Sequence, residues 1–206
     1  MNKTILDKLN EGRQYRSFED ITVSDEKTVE GYASTFNQPY TLYDDGEFRV
    51  DEQIDPHAFD ECNMDDVILQ YNHEGRVFAR KSNGTLEVAP DEHGLRIRAD
   101  LSGTELGRQL YEEIKGGYTN KMSFGFRVKA DRQDTTEENG KVYVLRTITD
   151  ISRLFDVSAV SLPANDATSI SARTYCEGVI AEVREELSAR AEREKLRQQI
   201  KLLAEV

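Results

Sequence analysis

Short segments in which apolar and polar residues alternate make up most of the chain, and they predict a strand-rich fold. The pattern starts at Ile21 and is clearest in residues 95–99, where apolar and charged side chains alternate as in a half-buried strand. The predicted strands cover residues 28–36, 67–71, 77–80, 86–88, 95–99, 122–128, 142–151 and 154–162. Asn83-Gly84 and Asn139-Gly140 separate neighbouring strands and are strong hairpin signals. Because the strands do not alternate with helices, we expect a β-rich α+β fold or a barrel, not a doubly wound sheet.

Two helices are predicted, one between the strands and one at the C-terminal end. The first begins at a capping box formed by Ser102 and Glu105 and ends at Gly116-Gly117. Its apolar stripe consists of Leu106, Leu110 and Ile114. The second carries two stripes, Ile180, Val183 and Leu187, then Leu196, Ile200 and Leu203. Since Arg190 and Glu194 interrupt them, we expect an amphipathic helix that docks on a partner, not a stable isolated coiled coil.

Length and composition indicate one domain of ordinary size with an extension at each end. The chain has 206 residues, of which 37% are apolar, so a central domain can bury a core without disulfides or metals. We expect a flexible N-terminal arm in residues 1–18, either loose or a short helix. A folded domain then covers residues 19–175, and a helical C-terminal tail covers residues 176–206.

Charge and the lack of sorting signals narrow the class of protein. The formal net charge is −12, which disfavours non-specific binding of nucleic acid or anionic lipid because like charges repel. No apolar run is long enough to span a bilayer, and the N-terminus lacks the apolar stretch of a secretory signal. Cys62 and Cys176 lie in no CxxC pair. We therefore expect a soluble intracellular protein with reduced thiols.

The three histidines differ in the chemistry they favour. His57 and His93 lie in predicted turns, where a capping or solvated role suffices. His73 follows the apolar strand of residues 67–71, and a polar imidazole at the mouth of such a strand suits acid–base work. A lone histidine is still more often structural than catalytic, so this position needs support from elsewhere.

Two predicted strands carry polar residues that could support a catalytic role for His73. Alternation around Ser123 and Gly125 places both on the face opposite the core, with open space beside the serine hydroxyl. By itself this pattern favours small residues packed against another element. Asp156 lies in an apolar strand, where a buried carboxylate requires a partner such as an imidazolium, unless the strand is an edge facing water. Cys62 paired with His73 stays open as an alternative nucleophile.

Other chemistry has no support in the sequence. The chain contains no phosphate-binding loop, no dinucleotide-binding glycine motif, no HExxH and no zinc-type cysteine spacing. We therefore expect neither a cofactor nor a metal.

Taken in order, the segments resemble the tailed-phage prohead proteases, the capsid maturation serine proteases that are distantly similar to herpesvirus assemblin. The resemblance covers about residues 29–170, most of the chain. Its segments are residues 31–37, 54–59, 71–73, 84–86 with Asp91 and Gly94-Leu95, the helix before Gly116-Gly117, 122–126, 156–160 and 163–165. Each segment is a weak signal alone, but their joint order and spacing are specific.

The resemblance implies roles for particular residues. It makes His73 the general base and Ser123 the nucleophile, and it puts the third member of the triad on the strand before Pro163-Ala164-Asn165. The family more often has Glu there, whereas this chain has Asp156, whose side chain is one methylene shorter. Asp150 or a water stays as the alternative. With an ordinary pKa for His73, the rate should fall near pH 6.5.

The resemblance also implies a fold, partners and a place of action. The fold would be an assemblin-like β-barrel surrounded by a few helices. The substrates would be a scaffolding protein or the scaffold segment of the major capsid protein, together with the protease itself. The place of action would be the interior of the immature phage capsid in the host cytoplasm. Neither nucleic acid nor a membrane is an expected partner, and formation of a homo-oligomer is left open.

A second hypothesis comes from a different class of protein. A non-catalytic capsid assembly protein could keep the same fold and bind scaffold through its C-terminal helix. The intact pair of His73 and Ser123 favours the enzyme, since an assembly role alone does not need it.

Overall fold

The computed structural model describes residues 13–18, 21–24, 26–161 and 170–204. In these residues the strands are β1 Gln14–Phe18, β2 Ile21–Val23, β3 Thr28–Thr35, β4 Tyr40–Asp44, β5 Phe48–Ile54, β6 Ile68–Tyr71, β7 Glu74–Arg80, β8 Leu86–Pro90, β9 Gly94–Asp100, β10 Lys121–Glu138 and β11 Lys141–Val160. The α-helices are α1 Glu105–Lys115 and α2 Ile170–Ala204, and Lys81–Asn83 form a short 3-10 helix.

The strands form two sheets. The seven-stranded sheet follows the order β1-β10-β11-β5-β4, and β6 and β7 extend it beside β11. The long strand β11 is antiparallel to β10 and pairs in parallel with β5 along its first part and with β6 along its last part. The four-stranded sheet has the order β2-β3-β9-β8. The fold is thus a mixed, strand-rich α+β fold, as the sequence predicts.

The barrel predicted from the resemblance is not found. Across the described residues the strands form two sheets and no closed barrel. The main core contains Val29 and Ile97 from the small sheet, Phe124 and Val157 from the large sheet, and Leu110 from α1. Because β10 directs its aromatic residues into this core, Ser123 and Gly125 lie on the other face of the sheet.

A second apolar cluster joins α2 to the large sheet. Leu42, Phe48, Val50, Val142 and Val144 pack against the first turns of the helix. The helix contributes Tyr175, Cys176, Val179, Ile180 and Val183, all buried. Leu196, Ile200 and Leu203 in its later turns are exposed. The expected boundary at residue 176 therefore falls inside a packed segment. None of the described helices combines the length and apolarity needed to cross a membrane.

The flexible N-terminal arm expected for residues 1–18 is wrong at its C-terminal end. Residues 14–18 form β1, which pairs with β10 along its whole length. The side chains of Gln14 and Arg16 are buried, and Arg16 pairs with Glu52 of β5. A buried ion pair between distant strands has no local sequence signature, which is why the polar composition was misleading. Residues 1–12 lie outside the described part of the chain.

The two Asn-Gly pairs have different outcomes. Asn139 and Gly140 have φ of 52° and 78° and join β10 to β11, so the predicted hairpin is confirmed there. Asn83-Gly84 does not close a hairpin, because β7 pairs with β6 and β8 pairs with β9. Gly84, with φ of 76°, instead ends the 3-10 helix where the chain passes from one sheet to the other.

The first helix starts slightly later than predicted. Thr104 is the N-cap residue, and its hydroxyl accepts a hydrogen bond from the Gly107 amide at 2.9 Å. Ser102 precedes the helix and is exposed, so the predicted capping box is wrong. Leu110 and Ile114 are buried as expected.

Candidate active site

Three neighbouring strands bring the predicted site residues together. Ser123 lies on β10 and Asp156 on β11, and in the pairing of these strands Ser123 is opposite Ser158 and Gly125 is opposite Asp156. His73 lies in the turn between β6 and β7, and β6 is the parallel neighbour of β11 at Asp156. Residues far apart in sequence therefore meet on one face of the large sheet.

The turn that carries His73 is tight and anchored. Asn72 and His73 have φ of 50° and 61°, as in a two-residue hairpin turn, and they connect the paired residues Tyr71 and Glu74. The backbone N–H of Asn72 donates to the backbone carbonyl of Ala159 at 3.0 Å. Asparagine is among the residues that adopt this left-handed backbone most readily. The anchored turn holds the imidazole above the end of β11.

A continuous hydrogen-bonded chain links the three side chains. The Nε2 atom of His73 lies 2.6 Å from the Ser123 hydroxyl oxygen, and its Nδ1 atom lies 2.5 Å from Oδ2 of Asp156. The ring of Tyr15 from β1 packs on the imidazole with a centroid distance of 4.3 Å. If Nδ1 carries its proton toward the carboxylate, Nε2 is free to accept the serine proton.

Two further residues hold Asp156, which is fully buried. The Ser158 hydroxyl donates to the same Oδ2 atom at 2.7 Å, and the Arg13 guanidinium contacts Oδ1. An opposite charge offsets the cost of burying a carboxylate. Neither residue was predicted from the sequence. Ser158 had a usable signal, since it lies two positions after Asp156 on the same strand face, but Arg13 had none.

The environment of His73 keeps its imidazole neutral. Burial, which disfavours the charged ring, and the nearby positive charge of Arg13 together lower the pKa of His73 to about 4. This differs from the expected value near 6.5, because the sequence did not indicate that the imidazole would be covered. The neutral form, which can accept a proton, therefore predominates at neutral pH.

The space beside Ser123 is filled, contrary to expectation. A side chain at Gly125 would collide with Asp156 and with the Arg13 guanidinium. Glycine at this position thus permits the carboxylate and the arginine to approach the strand. Ser123 itself is fully buried, since the His73 imidazole lies on its hydroxyl and the Tyr15 ring packs on that imidazole.

Comparison of the chain with known protein families gives a match over most of its length. The sequence profile of the caudovirus prohead serine proteases matches residues 14–186. The chain belongs to this family. It is accordingly a hydrolase of the serine protease class that functions in phage capsid maturation. Searches of curated proteins and of solved structures gave no match. The distant similarity to assemblin stays a prediction.

The other candidates of this prohead protease do not assemble into a site. His57 is exposed, and its Nδ1 atom lies 3.0 Å from Oδ2 of Asp60. The ring of His93 packs on the ring of Tyr32. Burial raises the pKa of the Cys62 thiol to about 11, so it is protonated at neutral pH. Asp150, the alternative third member, is half-exposed and faces Lys129. Pro163-Ala164-Asn165 lie outside the described residues.

Proposed function

We propose that this prohead protease is a serine endopeptidase with Ser123 as nucleophile, His73 as general base and Asp156 as the residue that orients the base. The observation that carries the proposal is the continuous chain from the Ser123 hydroxyl through His73 to the Asp156 carboxylate, with separations of 2.6 and 2.5 Å. The expected neutrality of His73 supports it, since only the neutral ring can take the serine proton.

The chemistry proceeds in two halves. Ser123 attacks the peptide carbonyl carbon while His73 takes the hydroxyl proton at Nε2. As the tetrahedral intermediate collapses, His73 gives that proton to the leaving amine, which leaves an ester between Ser123 and the substrate. A water then attacks the ester, with His73 again accepting and returning the proton. Asp156 stabilises the imidazolium that forms in each half and fixes the tautomer with a proton on Nδ1.

The substrates we propose are proteins of the immature capsid. These are a scaffolding protein, the scaffold segment of the major capsid protein, and the protease itself. The place of cleavage is the interior of the prohead in the host cytoplasm. Membership in the prohead protease family supports both statements.

The later turns of α2 give a specific reason to keep the assembly role as a second candidate. Leu196, Ile200 and Leu203 are exposed, at a spacing that aligns them along the helix. A helix with this pattern suits docking on scaffold or capsid protein. Such binding is compatible with proteolysis, and it would be the whole function only if the triad were inactive.

Loss of the nucleophile tests the enzyme. The full-length chain and its Ser123→Ala variant are incubated with capsid and scaffolding proteins, and fragments are followed by mass spectrometry. Ser123→Ala is expected to lower the rate by about a million-fold. Its stability should change by only about 1 kcal/mol, the size of one hydrogen bond. Ser102→Ala, at an exposed serine, is the matched control. Cleavage by Ser123→Ala at the wild-type rate would leave only the assembly role.

A further inference from the structure

Three arginines surround one aromatic ring beside the triad. The guanidinium carbons of Arg13, Arg127 and Arg153 lie 4.9, 5.4 and 5.1 Å from the centre of the Phe155 ring. Arg127 and Arg153 are directly opposite each other in the pairing of β10 with β11, and both are exposed. A concentration of positive charge stands out in a chain whose net charge is −12.

A β-bulge explains how these side chains reach the site. Gly125 pairs with Asp156 and Phe126 pairs with Leu154, so Phe155 is the extra residue of β11. A bulge redirects side chains and is common beside active sites. Here it places the Phe155 ring next to the buried Asp156, within reach of arginines from β10, β11 and the residue before β1.

The two exposed arginines have no acidic partner in the described parts of the chain. Most other arginines in those parts do have one: Arg16, Arg49, Arg80, Arg96, Arg98, Arg132, Arg146 and Arg184. Glu61 and the β11 residue Asp150 face Lys129 of β10. Stacking on Phe155 holds the guanidinium planes without using their N–H donors. The Arg13 charge is offset by Asp156, but the like charges of Arg127 and Arg153 repel each other. An anion bound between these two arginines would remove that cost.

The cluster lies on the same face of the large sheet as Ser123. Arg127 is on the same strand as Ser123 and, like it, faces away from the core, since Phe126 and Val128 are buried. At about 3.3 Å per residue, the four positions between them correspond to roughly 13 Å. Because β1 and β11 occupy both edges of β10 near Ser123, a substrate would have to lie across this face of the sheet. An extended peptide in the direction of β10 would bring its third or fourth residue from the cleaved bond over Arg127. Arg13, which contacts Asp156, lies on the side nearer the triad.

We propose that Arg127 and Arg153, stacked on Phe155, form a subsite that binds an acidic side chain of the substrate three or four residues from the cleaved bond. This proposal rests on the proposed function. A carboxylate fits the paired N–H donors of a guanidinium, and two such groups on adjacent strands can share it. The subsite makes acidic peptide segments the preferred substrates of this negatively charged protease.

Selectivity in cleavage is the first test. The full-length protease is incubated with a peptide library, and its cut sites are read by mass spectrometry. Matched peptides carrying Glu or Gln at the selected position then give a ratio of kcat/KM values. The wild type is expected to prefer Glu by about tenfold, the range of two exposed charge pairs. The double variant Arg127→Gln/Arg153→Gln should bring the ratio near one, and Arg127→Glu/Arg153→Glu should favour Lys. Arg132→Gln, at an exposed arginine further along β10, should retain the wild-type ratio.

Binding without catalysis is the second test. Immobilised Ser123→Ala protein is exposed to the same library, and the retained peptides are identified at low and at high salt. Acidic peptides should be enriched at low salt, and the enrichment should shrink as salt screens the charges. In the triple variant Ser123→Ala/Arg127→Gln/Arg153→Gln, the enrichment of acidic peptides should disappear.

The outcomes separate the two proposals. Cleavage that depends on Ser123 but shows the same Glu-to-Gln ratio with and without the two arginines overturns the subsite and leaves the protease. If the wild type cleaves neither library nor capsid proteins, the proposed function fails. In that case the binding experiment alone decides, and absence of acidic enrichment on the Ser123→Ala protein overturns the subsite as well.

Discussion

The rate at low pH depends on a single imidazole. His73 must be neutral to accept the Ser123 proton, and its pKa is lowered to about 4 by burial and by Arg13. Cleavage should therefore persist as the pH falls below 6.5 and disappear as it falls through about 4. The measurement is kcat/KM against pH for a peptide substrate. The acid limb is the part of this profile in which kcat/KM falls as the pH is lowered. If the acid limb lies near pH 6.5, the imidazole is solvated during catalysis.

Arg13 provides the comparison for this profile. Its charge helps to lower the pKa of His73, so Arg13→Gln should move the acid limb to higher pH, and Arg13→Lys should move it less. A merely structural arginine would change the rate without displacing the limb.

Replacing Asp156 by asparagine tests the third member of the triad. The amide can neither stabilise the imidazolium nor hold the tautomer with a proton on Nδ1, so kcat should fall by about 10⁴-fold. The variant should remain folded, as judged by circular dichroism, because the amide has nearly the same volume. Asp150→Asn is the matched control at the half-exposed alternative. If Asp150→Asn loses the activity and Asp156→Asn keeps it, the assignment is reversed.

At the scale of elements, the sequence predicted local structure well and pairing poorly. The alternation in residues 122–128 correctly separates core side chains from the site face, because period two follows directly from strand geometry. The strand partners of β7 and β8 depend on contacts across the whole domain, so Asn83-Gly84 was assigned to the wrong kind of turn. For the same reason the pairing of β1 with β10 was missed.

The candidate site was predictable only in part. His73, Ser123 and Asp156 were identified, and the structure brings them within hydrogen-bond distance. These three residues lie in short motifs whose order along the chain can be recognised from the sequence alone. The low pKa of His73 and the role of Arg13 could not be predicted from the sequence. Both depend on the pairing of β1 with β10, which brings Arg13 to the site.

A buried charge network ties β1, β5 and β11 together. Glu52 of β5 accepts from Arg16 at 2.5 and 2.9 Å and from Arg146 at 2.6 Å, and these three side chains are almost fully buried. Burial raises the pKa of Glu52, but the two arginine charges and the hydrogen bonds from Arg16 and Tyr40 outweigh it and lower the pKa to about 2. The carboxylate thus stays ionised in the folded protein.

The network makes stability depend on Glu52 and on acid pH. Glu52→Gln removes the buried carboxylate that Arg16 and Arg146 share, although Arg146 keeps its contact with Asp131. The loss of this charge should cost about 3–5 kcal/mol in unfolding experiments. Since the folded pKa lies below the ordinary value, this contribution is complete above about pH 4.5 and is lost as the pH falls toward 2. Asp51→Asn, at the neighbouring half-exposed acid, should cost less than about 1 kcal/mol. Equal losses in the two variants would show that the network contributes little.

At the scale of the whole molecule, the candidate triad is separate from the elements that pack on the large sheet and stabilise it. The small sheet and α1 pack on the core face of the large sheet, and the candidate triad lies on the opposite face. The first turns of α2 cover a different region, over β4, β5 and the start of β11. The helix can therefore stabilise the domain near its start and bind a partner near its end without covering Ser123.

This division predicts where the C-terminal tail can be removed. A chain ending at Ser188 keeps Val179, Ile180 and Val183 in the second core and should stay folded and active on peptides. A chain ending at Cys176 loses all three buried aliphatic side chains and should be destabilised by about 5 kcal/mol, enough to unfold many domains. Thermal unfolding and peptide cleavage of both truncations, beside the full chain, measure this difference. If the shorter chain is as stable as the longer one, the packing of α2 on the sheet contributes little, and the detachable tail begins directly after Cys176.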